Sequence, residues 1–335
     1  MFKKLLERFF PPAPEPVGAE DALSPLTVLV VDPPRPVEMI DVDNLFFPWL
    51  LGMGSAVSDD MNDAENRLLR ALKREADTDS PATADLVPRI PSVVPMLLRS
   101  LRDYHVSNAQ LAEQVMHDAV LVAAVLKQVN SSYFRRSSPV KTIEEAIAVI
   151  GQNGLRMLVA SVAFKPLFNA GLGHFTAVGA PRVWELAESY GIACGFYAKR
   201  YQADGFEAFL AGLLQGVGAI VALRVIDQAG GAEPGELRSL AFQASFAHYS
   251  RRLARLVGRH WEFPAHAIAA VERAGNGEPL SEVLRLADRI SKIRTLVNHG
   301  ALRPEHAQAC LDDEDAAACY QEVTTVQAER EKSAA

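Results

Sequence analysis

From Leu86 onward, apolar residues recur at the three-to-four-residue spacing of an amphipathic helix. The stretches run roughly 12 to 20 residues and are separated by short polar breaks. That rhythm constrains the chain to an all-α domain in which each helix buries one stripe against its neighbours. Val94, Leu97, Leu98 and Leu101 make the first inward stripe behind Pro91, whose missing N–H does no harm at a helix start. Ser107 with Gln110 forms a capping-box signature for the next helix. Thr142 with Glu145 does so again for a helix that Gly151 is expected to close. Ala119 to Gln128 is apolar on nearly all sides and reads as the central buried helix. Leu280 to Val297 is strongly periodic, and Pro304 to Glu331 reads as one or two more helices that pack on the domain.

Ahead of Leu86 the organisation differs. Phe2, Leu5, Leu6 and Phe9 form a short apolar stripe opposite Lys3, Lys4 and Arg8, expected as a plug on the protein itself rather than a membrane anchor. Pro11 to Pro25 has the Pro, Ala and Glu content of a disordered linker. Leu26 to Asp32 (LTVLVVD) is the one good strand signal. Phe46, Phe47, Trp49 and Leu50 carry too much apolar surface to leave in water and are expected to clasp the main domain. Asp41 and Asp43 beside them read as a solvated turn, since two carboxylates without a ligand-spaced continuation make a poor cation site. Met61, Leu68, Leu69 and Leu72 predict a helix within Asp59 to Arg74, with polar linker over Asp77 to Asp85. The expected divisions are therefore 1–25 (amphipathic start and linker), 26–85 (extension), 86–280 (main domain) and 281–335 (C-terminal helices).

With 49% hydrophobic and 22% charged residues the chain can bury a sizeable core. A net charge of −7 argues against a dedicated nucleic-acid binder, because phosphate neutralisation needs concentrated Lys and Arg. No run comes near the roughly 18 apolar residues of a membrane span. The start is too interrupted by Glu7 and Arg8 for a secretory signal, so a cytoplasmic location is expected. Cys194, Cys310 and Cys319 show no CxxC spacing and read as reduced thiols. His105, His174, His266, His299 and His306 give no metal-ligand spacing and read as surface or capping residues, and no P-loop, GxSxG or dinucleotide fingerprint is present.

Three segments carry a resemblance. They are the proline-led helix at Pro91, His117 to Phe134 (HDAVLVAAVLKQVNSSYF) and Ser137 to Val159 (SSPVKTIEEAIAVIGQNGLRMLV). In residue choice and order they resemble the first half of an HDOD domain, a degenerate relative of the HD-superfamily phosphohydrolases. Trp184 opening a helix, AFLAGLLQGVGAIVAL from Ala208 to Leu223, His248, Trp261, Pro264 and RLADRIS from Arg285 to Ser291 continue it. The resemblance implies an all-α, HD-like helical bundle. In catalytic HD proteins, His and Asp side chains from several helices hold divalent metals that activate water. By register, Ala187 stands for the first His, Gln215 and Gly216 for the His-Asp doublet, and Glu272 with Arg273 for a later His pair. Asp288 alone keeps a ligand-like side chain. The resemblance thus implies a module without metal, cofactor or catalysis, relaying signals in bacterial networks. Partners of the diguanylate cyclase, phosphodiesterase or two-component type are expected, in networks that include cyclic di-GMP. A vestigial phosphohydrolase is the alternative.

Two further expectations concern the same region. Gly216 and Gly218 on an apolar helix permit close helix packing, which is expected to fill the former metal cavity. Arg251, Arg255 and Arg259 recur at i, i+4 and i+8 with His248, Arg252 and His260 alongside, and Arg135 with Arg136 forms a second basic pair. These are candidate contacts for a partner, a nucleotide or a nucleic acid, weighed against a preferred reading as solvated faces.

Overall fold

The computed structural model describes residues 41–52, 58–77, 93–102, 107–130, 139–168, 173–230, 232–273, 275 and 277–334. The predicted strand at 26–32, the amphipathic start, both linkers, Pro91, His105, Arg135 and Arg136 lie outside them. Among the described residues every regular element is a helix, apart from one isolated parallel bridge between Ser58 and Ser239. In chain order the α-helices are α1 (Val42–Leu51), α2 (Asp63–Asp77), α3 (Val94–Arg102), α4 (Asn108–Met116), α5 (Ala119–Val129), α6 (Ile143–Phe168) and α7 (His174–Arg200). They continue as α8 (Gly205–Ala229), α9 (Leu240–His260), α10 (Ala265–Glu272), α11 (Pro279–Asn298), α12 (Pro304–Ala309) and α13 (Glu314–Ala334).

The centre is α8, which touches α2, α6, α7, α9, α10 and α11. Its sequence is apolar on all sides, so it needs neighbours on every face, and two glycines let them come close. A Cβ at Gly218 would sit 2.4 Å from the Ser250 carbonyl oxygen, so α9 crosses α8 almost backbone to backbone. A Cβ at Gly212 would lie 2.1 Å from the Tyr190 ring, which occupies that space and donates its hydroxyl to the Leu284 carbonyl at 3.0 Å. That bond ties α7 to α11 through the core.

The expectation that α5 is the central buried helix is wrong. Leu121, Val125 and Val129, one i, i+4, i+8 stripe, pack inward, while Val120 is 80% exposed. Much of its remaining surface is alanine, which leaves little apolar area in water, so an all-apolar appearance did not require burial on all sides. Trp184 likewise lies in the middle of α7 and does not open it. That helix starts at His174, and its first amides are satisfied from a distance: Asp227, in the last turn of α8, accepts from Phe175 N, Thr176 N and Thr176 Oγ1.

Other local predictions hold. Ser107 and Gln110 make both bonds of a capping box at α4. Thr142 Oγ1 accepts from Glu145 N, and the Glu145 carboxylate reaches back to Lys141 N. Gly151 breaks the helix with φ 74°, although helical structure resumes directly after it in α6. All three cysteines are free and buried. By length and composition Ile143–Phe168 and Gly205–Ala229 could each cross a membrane, which corrects the reading that no stretch comes near. Here α8 is enclosed by other helices, and α6 is interrupted at Gly151.

The two described helices of the extension pack on this core. In α1, Val42, Phe46, Phe47, Leu50 and Leu51 are buried against α7, α9 and α11, so the aromatic clasp is a helix. In α2, Glu65 is buried at 1% exposure with both carboxylate oxygens occupied, one by Asn62 N and the other by Ser239 N. It joins the start of α2 to the start of α9. At the C-terminal end, α13 packs on α7 and α11.

Candidate functional site

Helical spacing on α11 brings Leu284, Arg285, Asp288, Arg289 and Lys292 towards one side, facing Gln215 of α8, Ala247 and Arg251 of α9, and Asp41 to Asp43 at the start of α1. Together they line a cleft of about 200 Å³. Its dominant feature is a cation. Lys292 Nζ lies 2.6 Å from Asp288 Oδ2, one turn earlier on α11, and 2.6 Å from Asp43 Oδ1 on α1. The ammonium also lies 5.1 Å and 5.6 Å from the ring centres of Phe46 and Phe47, within cation–π range. The Lys292 side chain is only 10% exposed. Burial works to lower its pKa, but the two carboxylates outweigh burial and hold it above the ordinary lysine value. Asp41 caps α1 by accepting from Asp43 N at 2.9 Å.

The metal that HD-type folds imply does not fit this donor set. Ala187 is buried in α7 and offers no donor. Gly216 faces Phe168 and Val183 rather than the cleft. Gln215 supplies a neutral amide whose buried Oε1 has no hydrogen-bond partner among the described residues. Asp288, the one carboxylate at a ligand-like position, is already engaged by an ammonium. Glu272 lies away from the cleft lining and pairs with Arg255 at 3.5 Å. A divalent ion placed between Asp43 and Asp288 would meet the Lys292 charge directly, a strong repulsion in a poorly solvated cleft.

The packing expectation is met on one side only. The Gly216 and Gly218 positions are closed by Phe168, Val183 and the α9 backbone. A cleft remains on the Gln215 side, with Asp41, Asp43 and Asp288 in its wall.

The basic stripe of α9 is divided among three roles. Arg252 pairs with Asp77 at 2.8 Å and Arg255 with Glu272, which ties α9 to α2 and to α10. Arg251 lines the cleft, and Arg259 is exposed in the last turn. His248 is exposed and packs edge-on against Tyr249.

The residues that sequence reading missed are Lys292 and the role of Asp43. The i, i+4 pair of Asp288 and Lys292 was visible as a helical ion pair. Asp43, 249 positions away, gave no signal of its destination. A second polar anchor also went unseen. The Arg182 guanidinium donates to the Trp49 carbonyl and lies 5.1 Å over the Trp49 ring. That ring is 5.0 Å from the imidazole of His299, which bonds Glu185 at 2.7 Å.

With this geometry in place, likenesses to known proteins can be read. The HDOD domain family matches residues 87–276. No curated protein gives a significant match. Among solved structures, an HDOD domain protein of unknown function from Geobacter sulfurreducens superimposes with a TM-score of 0.53 at 20% identity, covering 81% of this chain and 97% of the other. A protein from Shewanella amazonensis SB2B, provisionally described as a metal-dependent phosphohydrolase, gives 0.53 at 20% identity, covering 79% and 99%. A protein from Marinobacter aquaeolei VT8, provisionally described as acting in signal transduction, gives 0.50 at 15% identity, covering 87% and 67%. At these identities the likeness concerns the fold.

Proposed function

The chain belongs to the HDOD family, and on that premise we propose that it is a non-catalytic regulatory module of bacterial signal transduction that works by binding other proteins. The observation that carries this reading is the Lys292 ammonium between Asp43 and Asp288, the latter being the one residue for which the resemblance implies a ligand-like position. Water activation needs a bound divalent ion or a strong general base. The cleft offers arginines, a lysine already in ion pairs, a neutral amide and carboxylates held near those cations. The relative described as a signal transduction protein fits a regulatory role, and partners of the diguanylate cyclase, phosphodiesterase or two-component type fit the family.

The test is a metal analysis of the purified protein combined with cleavage of a generic phosphodiester in Mn²⁺ and Fe²⁺. The expected outcome is substoichiometric metal and no turnover above buffer. Stoichiometric metal with ester cleavage that disappears in Asp288→Ala would overturn the reading in favour of a vestigial phosphohydrolase. A second reading, anion binding at the cleft, draws on Arg251, which lines it near Asp288. It predicts nucleotide binding that weakens steeply with salt and with Arg251→Glu.

A further inference from the structure

Helices α1 and α11 both lie outside the residues matched by the HDOD family, and between them they supply Lys292, both of its carboxylates and part of the cleft wall. The docking of α1 is built from separable contacts. Asp43 engages Lys292, and Phe46 and Phe47 lie against the same ammonium. Phe47 meets Phe246 of α9 edge-on, with ring centres 5.9 Å apart. Trp49 is held by Arg182 of α7. A Cβ at Gly179 of α7 would come 3.5 Å from the Leu50 carbonyl and 2.6 Å from the Leu223 side chain, so a glycine there makes room at the groove floor.

We infer that α7, α9 and α11 form a helix-docking groove, that α1 occupies it in cis, and that its partner in trans is an amphipathic helix with a carboxylate one turn ahead of paired aromatics. The cis occupant defines that chemistry. Asp43, Phe46, Phe47 and Leu50 fall at i, i+3, i+4 and i+7 on one face. The groove presents a cation where the carboxylate lands and apolar surface beyond it. The cleft is a charge-tipped receptor because its cation is a side chain fixed to α11, present without any cofactor.

Release of α1 is physically reasonable on two counts. A ten-residue helix is too short to hold its shape unaided. Pro48 also removes one of its internal hydrogen bonds. Asp43 itself is 58% exposed, so the ionic contact is reachable from solvent. The tether gives α1 a high effective concentration, so a competitor must either bind tightly or meet a weakened strap. This inference concerns what the cleft receives and depends on the non-catalytic reading above only in treating Lys292 as the resident cation.

The experiment uses the full chain and a fluorescent synthetic peptide of residues 39–54. A strap-weakened variant, Asp43→Lys with Trp49→Ala, is compared with the wild type, with amide exchange in α8 as the control for an intact core. The expected result is peptide binding to the variant at least about tenfold tighter than to the wild type, abolished when Lys292→Met is added. Equal affinity for both proteins, or binding indifferent to Lys292, overturns the inference. So does faster exchange in α8 matching that in 42–51, because α1 would then be inseparable from the core. Metal loading or ester cleavage does not enter these readouts, so a failure here is distinct from a failure of the regulatory reading.

Discussion

Asp227 accepts the Thr176 hydroxyl at 2.5 Å and the Thr176 amide at 2.9 Å, so the end of α8 caps the start of α7. The N-cap position itself, Gly173, has no side chain to do this, and a Cβ there would lie 2.0 Å from the Asp227 carboxyl carbon. The carboxylate also satisfies Phe175 N. Replacing a capping carboxylate by Ala costs about 0.5–2 kcal/mol, and three bonds to one group place this case at the upper end. Asp227→Ala should therefore lower the urea midpoint by the equivalent of about 2 kcal/mol, and Asp227→Asn by less. Equal stability of both variants and wild type would show that the cap is dispensable.

Gly216 and Gly218 of α8 make opposite predictions. Alanine gains roughly 1 kcal/mol over glycine in a helix interior, while overpacking a core costs about 1–3 kcal/mol. At Gly216 the new methyl would meet the Phe168 ring at 3.1 Å and Val183 at 3.4 Å, and a ring can move by a few tenths of an ångström. At Gly218 it would meet the Ser250 carbonyl at 2.4 Å and the Ala254 nitrogen at 2.8 Å, which are backbone atoms of a packed helix. Gly216→Ala should be nearly neutral in thermal unfolding, and Gly218→Ala should destabilise by about 2 kcal/mol. A reversed order would show that α9 is free to shift along α8.

How much of this was legible in the sequence follows from the range of each signal. The capping boxes at Ser107 and Thr142 and the stripe of α11 depend on residues within one or two turns, and they were read correctly; Leu68 and Leu72 of α2 were too, but that helix starts at Asp63, after Met61, and runs on to Asp77. The start of α7 depends on Asp227, more than fifty positions away, so Trp184 was mistaken for the opening of a helix. The family resemblance placed Gln215 and Asp288 at one cleft, and both line it. It also put Glu272 there, whereas that carboxylate serves Arg255. The apolar clasp was legible from its aromatics, but its ionic tip was not. Asp43 looked like part of a solvated turn because the lysine it meets lies on a helix near the other end of the chain.

Metal should leave the folded state unaffected. A ligand at one hundred times its dissociation constant stabilises a protein by about 2.7 kcal/mol, which raises the melting temperature by several degrees. Millimolar Mn²⁺ should produce no such rise, and exhaustive chelation no fall. In Lys292→Gln the two carboxylates lose their resident cation, and a Mn²⁺-dependent rise there but not in the wild type would identify Lys292 as the group that keeps the metal out. A rise of equal size in both proteins would mean that Mn²⁺ binds elsewhere or displaces the lysine.

The same ammonium makes stability depend on pH in the alkaline range. Carboxylates on two helices hold the Lys292 pKa above its unfolded value, against the effect of burial. A raised lysine stabilises the fold fully below the unfolded pKa, about 10.4, and loses that contribution as pH rises through the folded value. Breaking a buried ion pair costs about 3–5 kcal/mol, but Asp43 is 58% exposed and water screens part of that contact. A cost of about 2 kcal/mol for Lys292→Met is the expectation, measured by denaturant unfolding between pH 7 and 9. The gap between wild type and Lys292→Met should then close progressively above about pH 10.4, while Asp43→Asn, which keeps the lysine and one carboxylate, should lie between them throughout. A gap that stays constant into the alkaline range would mean that Lys292 contributes through the packing of its methylenes on Phe46 and Phe47 rather than through its charge, and the ammonium could no longer be regarded as the organising cation of the cleft.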